Sequence, residues 1–288
     1  MPQMKRADFR FFHRLRVRWA EVDMQKIVFN AHYLMYVDTA MMDYWRALAL
    51  PYEDSMVALG GDMYVKKASL EYHASAHLDD RVDVGMRCER VGNSSVLFQA
   101  GLFRGEKLLV SAELVYVFAD PATQTSKPVP PTLRALLTGF EAGEAMAAVH
   151  VGSWDALGPD AARLRQAVFV EELGIPAELE ADAHDAGAIH AVLRNHLGMP
   201  VATGRLLQEA PGVGRIGRLA VDGKLRGAGW GRMVLDALLD AARARGDQRV
   251  VLDAEASAQG FYQRTGFVVC GEPFVEAGIH HVSMECVL

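Results

Sequence analysis

Ile216-Gly217-Arg218-Leu219-Ala220-Val221, then Asp222-Gly223-Lys224-Leu225, then Arg226-Gly227-Ala228-Gly229-Trp230-Gly231, is the stretch on which the second half of the chain turns. The first six residues read as a short strand. After Gly231 an apolar stripe runs to Ala242, with Leu235, Leu238, Leu239 and Ala242 on one helical face and Arg232, Asp236, Asp240 and Arg243 on the other. Three glycines at alternate positions lie where strand becomes helix. Lacking Cβ atoms, such a loop can turn its N–H groups toward an anion at the positive helix end. The stretch therefore reads as a phosphate cradle, against the plainer alternative of a glycine-loosened turn.

The spacing narrows the kind of phosphate. A P-loop needs Gly-Lys-Ser/Thr at the helix start, but Gly231 is followed by Arg232-Met233. A dinucleotide fingerprint needs its third glycine where Arg232 stands, although Asp253 lies about 20 residues on, where such folds place a ribose-binding carboxylate. The pattern present is Arg-x-x-Gly-x-Gly, from Arg226 through Gly229 to Gly231. It resembles the pyrophosphate loop of the GNAT N-acetyltransferases, which hold acetyl-CoA by strand and loop amides. The resemblance implies CoA contacts at Leu219, Val221, Arg226, Gly227, Gly229, Trp230 and Gly231.

At 288 residues the chain is long enough for two ordinary domains. Half its residues are apolar, as in globular proteins, and no run of 18 uncharged apolar residues suggests a membrane span. Met1 to Arg10 has no apolar signal core, and Cys88, Cys270 and Cys286 lack metal or redox spacing; buried thiols in a cytoplasmic protein are expected. The formal charge of −6 argues against nucleic acid as the main partner.

In the first half, Phe11 to Trp19 alternates as a half-exposed strand, with Leu15, Val17 and Trp19 on one face and Arg14, Arg16 and Arg18 on the wet one. Ala31 to Leu48 is apolar on every side, which predicts a helix buried all round; Asp38, Asp43 and Arg46 exclude a membrane span. Strands are expected at Met63–His73, Arg81–Arg90, Ser94–Phe103 and Lys107–Phe118, with hairpin turns at Gly92-Asn93 and Arg104-Gly105-Glu106. An antiparallel sheet wrapping a central helix is the hotdog fold, of the α+β class.

Val17-Arg18-Trp19-Ala20-Glu21-Val22-Asp23 and Val28-Phe29-Asn30-Ala31-His32-Tyr33-Leu34 resemble the acyl-CoA thioesterases of the 4-hydroxybenzoyl-CoA thioesterase type. The similarity extends to about Leu137. It implies that Asp23 attacks the thioester or activates water, and that amides near Asn30 and Ala31 polarise the carbonyl. A carboxylate supplies a base or nucleophile, and a helix N-terminus stabilises a developing oxyanion. Without the resemblance, Asp23 also reads as a turn or capping residue. The chain departs from the family pattern at Lys26, where Gly is frequent, at Asn30, where one branch has His, and at His32, where Asn is common. The acyl group, and the choice between nucleophile and general base, stay open. The family builds its sites between two units, which implies a homo-oligomer.

Four prolines between Asp120 and Pro131 end the sheet, Thr132–Phe140 reads as a closing helix, and Glu141-Ala142-Gly143-Glu144-Ala145 is small and polar. The expected organisation is a hotdog domain over 1–140, a linker over 141–148 and an α/β GNAT domain with a mixed sheet over 149–288. In the latter, a strand is expected at Ala148–Trp154, a helix at Pro159–Leu173, and strands at Ile189–Leu193, Pro200–Leu207 and Arg249–Asp253. Ala258-Gln259-Gly260-Phe261-Tyr262-Gln263-Arg264 resembles the GNAT segment that carries a Tyr beside the CoA sulfur, making Tyr262 the implied acid for the departing thiolate. Glu171, Glu172, Glu178, Glu180, Asp182 and Asp185 read as a solvated face or as a rim for a cationic amine. His280 and His281 could supply a base, and their adjacency does not fit a zinc site.

The expected function is bifunctional: acyl-CoA hydrolysis in the first half and transfer from acetyl-CoA to a small amine in the second, with no metal. One alternative makes the second half a CoA sensor without transfer chemistry. Another makes the protein a nicotinamide-dependent oxidoreductase.

Overall fold

The computed structural model describes residues 4–180, 182–276 and 278–288. The chain forms two compact units, Met1–Met146 and Ala147–Leu288.

The first unit contains β1 (Phe11–Arg16), α1 (Asn30–Ala47), α2 (Tyr52–Leu59), β2 (Asp62–Tyr72), β3 (Arg81–Val91), β4 (Ser95–Arg104), β5 (Lys107–Ala119) and α3 (Pro131–Ala142). Its sheet has the order β1-β3-β4-β5-β2, and every pair is antiparallel. Period-two alternation turns Val96, Phe98, Ala100 and Leu102 of β4 inward, and all four are fully buried. Tyr44 and Trp45 of α1 pack edge-on against Phe98, with ring centroids 5.7 and 6.3 Å away. A helix held in the concave face of an antiparallel sheet makes this unit a hotdog fold.

Helix α1 is not buried all round: Tyr33, Tyr36, Val37, Ala40 and Met41 face the sheet, whereas Leu34, Met35 and Met42 are 38%, 42% and 41% exposed. One sheet covers one side of a helix, so the opposite apolar stripe stays uncovered within this unit. Trp19 also leaves the strand face, because β1 ends at Arg16 and a 3-10 turn over Trp19–Glu21 leaves the indole 80% exposed. The alternating arginines are the wet face as expected, and each has an acidic neighbour: Arg14 with Asp83, Arg16 with Asp79 and Arg18 with Glu21.

The second unit contains β6 (Ala147–Gly152), α4 (Trp154–Arg165), α5 (Ala177–Glu180), β7 (Ile189–Asn195), β8 (Pro200–Ala210), β9 (Val213–Val221), α6 (Trp230–Arg245), β10 (Arg249–Glu255), α7 (Gln259–Gln263), β11 (Val268–Val269), β12 (Phe274–Glu276) and β13 (Ile279–Val287). The sheet order is β11-β13-β10-β9-β8-β7-β6, with β12 beside β13. Among the described residues only the β9–β10 pair is parallel, so the sheet is mixed. A dinucleotide fingerprint belongs to a doubly wound parallel sheet, and that context is absent among the described residues. Asp253 moreover accepts hydrogen bonds from Arg215 (2.7 Å) and Ser283 (2.7 Å). The nicotinamide alternative therefore falls.

On α6 the stripe read from the sequence is the buried one: Leu235, Leu238, Leu239 and Ala242 are at most 5% exposed, while Arg232 pairs with Asp236 outside. The helix expected from Pro159 instead starts at Trp154, with Pro159 inside it, and passes at Gln166 into a π-helical segment that ends at Glu172. A π turn carries an extra residue and re-aims the side chains that follow.

The acidic run is not simply a solvated face. Buried Arg165 pairs with Glu180 and with Asp185 (2.8 Å), and Arg205 pairs with Asp182 (2.6 Å) and Asp185 (2.7 Å). Arg165 ties the segment around α5 to α4, and Arg205 ties it to β8; a buried charge is tolerated only when paired in this way. Cys270 is exposed and Cys88 and Cys286 are half-buried, so the expectation of three buried thiols is also wrong.

Candidate active sites

In the second unit, β9 and β10 pair only from Val213 to Arg215. Beyond Arg215 the two parallel strands separate, which leaves the β10-facing edge of β9 from Ile216 to Val221 without a ladder partner. On its other edge β9 bulges against β8, where the register jumps between Thr203↔Ala220 and Arg205↔Gly217, and Arg218 takes a left-handed φ of 54°. The opening between the strands is a cleft of about 1130 Å³. Leu219, Val221, Arg226, Gly227, Gly229, Trp230, Gly231 and Tyr262 all line it.

The glycines have different jobs. Gly227 and Gly229 adopt φ of 86° and 92°, which disfavours any larger residue, and a Cβ added to either would project into open space. Gly231 is needed for packing, since its Cβ would lie 3.0 Å from Val221 Cγ2. Among the described residues no side chain caps the start of α6. The loop thus presents a positive helix end to an open concavity, and a pyrophosphate fits there without displacing side-chain Cβ atoms. Arg226 is already engaged: its guanidinium makes two hydrogen bonds to Glu172, at 2.5 and 2.7 Å.

Tyr262 sits on the short helix α7, 9% exposed, between Phe261 and Phe267. Burial, and secondarily the Glu255 carboxylate, pushes its phenol up to about 12, so the hydroxyl keeps its proton at neutral pH. No described group hydrogen-bonds that hydroxyl. Glu255 and His281 also line the cleft, whereas His280 points outward and is exposed.

In the first unit, Asp23 lies in the loop between the 3-10 turn and α1. Its Oδ1 accepts from the Gln25 amide (2.8 Å), and its backbone bonds Ile27 (2.9 Å) and Lys26 (2.9 Å). It is therefore a turn-forming residue in any case, with the second carboxylate oxygen not used by the turn. Lys26 takes φ 61°, a left-handed conformation that glycine adopts without steric cost. Asn30 opens α1, whose first amides have no side-chain cap, and its carbonyl accepts from Tyr72 (3.2 Å). His32 packs edge-on against Phe29, with ring centroids 6.0 Å apart.

Sequence reasoning missed Glu21. It is 3% exposed, and it accepts from the Arg18 amide (2.8 Å), the Arg18 side chain (2.7 Å) and Tyr36 (2.6 Å). Burial alone would raise its carboxyl, but these hydrogen bonds outweigh burial and hold it below the usual range. Glu21 clamps the Asp23 loop onto α1. The i,i+3 spacing of Arg18 and Glu21 was the available signal, but the partner Tyr36 is fifteen positions away.

An acetyltransferase (GNAT) domain model matches residues 158–288, and a thioesterase superfamily model matches residues 25–111. The uncharacterized N-acetyltransferase YjcF of Bacillus subtilis is 36% identical over 126 residues, covering 43% of this chain and 89% of that protein. A UPF0039 protein of Schizosaccharomyces pombe is 36% identical over 124 residues, covering 42% of this chain and 82% of that protein. The solved structure of Escherichia coli YbaW is 21% identical with a TM-score of 0.39, covering 44% of this chain and 95% of that one. The family matches make the protein a fusion of two unrelated domains. Its second half belongs to the GNAT acetyltransferase family, and its first half carries a thioesterase-superfamily domain.

Proposed function

We propose that the protein uses acyl-CoA twice, hydrolysing a thioester in its first 140 residues and transferring an acetyl group from acetyl-CoA to an amine in residues 149–288. The observation that carries the second activity is the unpartnered edge of β9 running into an uncapped α6, with the Tyr262 hydroxyl on the same cleft. Backbone groups of Leu219 and Val221 hold the pantetheine arm, and the amides of Gly227, Gly229, Trp230 and Gly231 hold the pyrophosphate. Arg226 adds charge once released from Glu172. Tyr262 keeps a proton at its hydroxyl oxygen and donates it to the departing thiolate.

For the first activity, Asp23 supplies the carboxylate and the amides at Asn30 and Ala31 stabilise the oxyanion. The exposed stripe of Leu34, Met35 and Met42 beside this region supports a homodimer through the first unit. Measuring CoA release from acetyl-CoA and longer acyl-CoAs, with and without a panel of amines, tests both halves. Amine-independent release reports hydrolysis, and the amine-dependent increment reports transfer. Binding of CoA without any increment would favour a sensor.

A further inference from the structure

We propose that His281 is the base that takes the proton from the incoming ammonium of the acceptor, with Glu255 as the carboxylate that docks that cation. The proposal rests on the acetyl-transfer reading and names the acceptor side of the same cleft. His281 lies on β13 directly opposite Glu255 of β10. Side chains so paired share a face, with Cβ atoms about 5 Å apart. His281 Nδ1 lies 2.9 Å from the Ile279 carbonyl oxygen. A carbonyl only accepts, so Nδ1 carries the hydrogen and Nε2 of the neutral ring keeps a lone pair. Phe274 stacks on the imidazole at 5.7 Å and 22°, fixing its plane. No described group hydrogen-bonds Nε2, and the residue lines the cleft shared with Glu255 and Tyr262.

The chemistry balances. Nε2 takes one proton from the ammonium, and the freed amine nitrogen bonds to the thioester carbonyl carbon as the carbon–sulfur bond breaks. Tyr262 protonates the thiolate and recovers a proton from the new amide nitrogen. The imidazolium then returns its proton to water. A cationic primary amine is the acceptor class this arrangement takes.

The other charged groups facing His281 are Asp253, one pair along the same face and bound to Arg215 and Ser283, and Glu276 on β12; the turn Ala256–Ala258 adds none. The test uses the full chain with spermidine and tyramine as acceptors. His281→Gln should lower kcat ~100-fold or more at neutral pH, the scale of a lost general base, with CoA affinity unchanged. The acidic limb of the kcat/KM profile should go, and the rate should recover at high pH, where free amine is abundant. Glu255→Gln should raise the amine KM more than it lowers kcat. Wild-type kcat and pH profile in His281→Gln would overturn the proposal alone. A wild-type protein that binds CoA and acetylates neither amine would overturn the transfer reading and this proposal with it.

Discussion

Arg226 of the glycine loop and Glu172 form a two-bond fork, 2.5 and 2.7 Å long. Hydrogen bonding to Arg226 holds the Glu172 carboxyl below its ordinary range, and the same bonds raise the guanidinium. A bidentate carboxylate occupies the donors a phosphate would use. CoA binding through Arg226 therefore has to displace Glu172. Both side chains are nearly half exposed, so the pair contributes at most about 1 kcal/mol, or about fivefold in affinity. Glu172→Gln should tighten CoA binding by up to that factor in titration calorimetry, and more at low salt than at high. Unchanged or weaker binding would mean that Arg226 does not contact the nucleotide phosphates.

Gly229→Val should abolish CoA binding while leaving the fold of the second half in place. The added side chain projects into the cradle, and a β-branched residue at φ 92° costs about 1–3 kcal/mol. Gly231→Ala differs, because its Cβ presses on Val221 and perturbs helix–strand packing instead. Circular dichroism melts beside CoA titrations would separate the two effects. Retained CoA affinity in Gly229→Val would remove the cradle from the site.

The uncovered face of α1 predicts assembly. Leu34, Met35 and Met42 lie on one side of the helix, and replacing two of them with Lys should dissociate a dimer by placing charge in an apolar contact. Sedimentation of the wild-type chain at micromolar concentration should give at least twice the monomer mass. A wild-type monomer would mean that this stripe has another use.

Acid should weaken the second half below about pH 4. Asp185 is buried between Arg165 and Arg205; burial opposes its ionisation, but the hydrogen bonds from both guanidiniums prevail and its carboxyl lies below the usual range. A depressed folded value stabilises above the unfolded value of about 4 and is lost as pH falls through the folded one. Asp185→Asn should cost about 3 kcal/mol at pH 7, because it leaves buried guanidinium charge short of a partner. The gap from wild type should narrow as pH drops below 4 in denaturant titrations. A gap independent of pH would assign the loss to packing.

Both architectures were legible because each rests on local periodicity: two-residue alternation in β3 to β5, and the Leu235–Ala242 stripe after an alternate-glycine loop. What the sequence hid is long-range. The exposed side of α1 depends on how much of a helix one sheet can cover, which no window of the helix encodes. The Glu21–Tyr36 and Glu172–Arg226 contacts join residues 15 and 54 positions apart, so no local pattern pairs them. The π-helical turn that aims Glu172 has no residue signature that propensity would reveal.

Two separate acyl-CoA sites in one chain, as proposed, respond independently to single substitutions. Asp23→Asn keeps the Oδ1 that accepts from Gln25, so the loop should hold while the charge is lost. It should reduce acyl-CoA hydrolysis ~100-fold or more and leave amine acetylation unchanged. Tyr262→Phe removes one hydroxyl from an aromatic cluster and should slow acetylation while hydrolysis continues. The double variant should lose both, since sites without shared partners add. Full hydrolysis in Asp23→Asn, or loss of both activities with either single change, would contradict two independent sites.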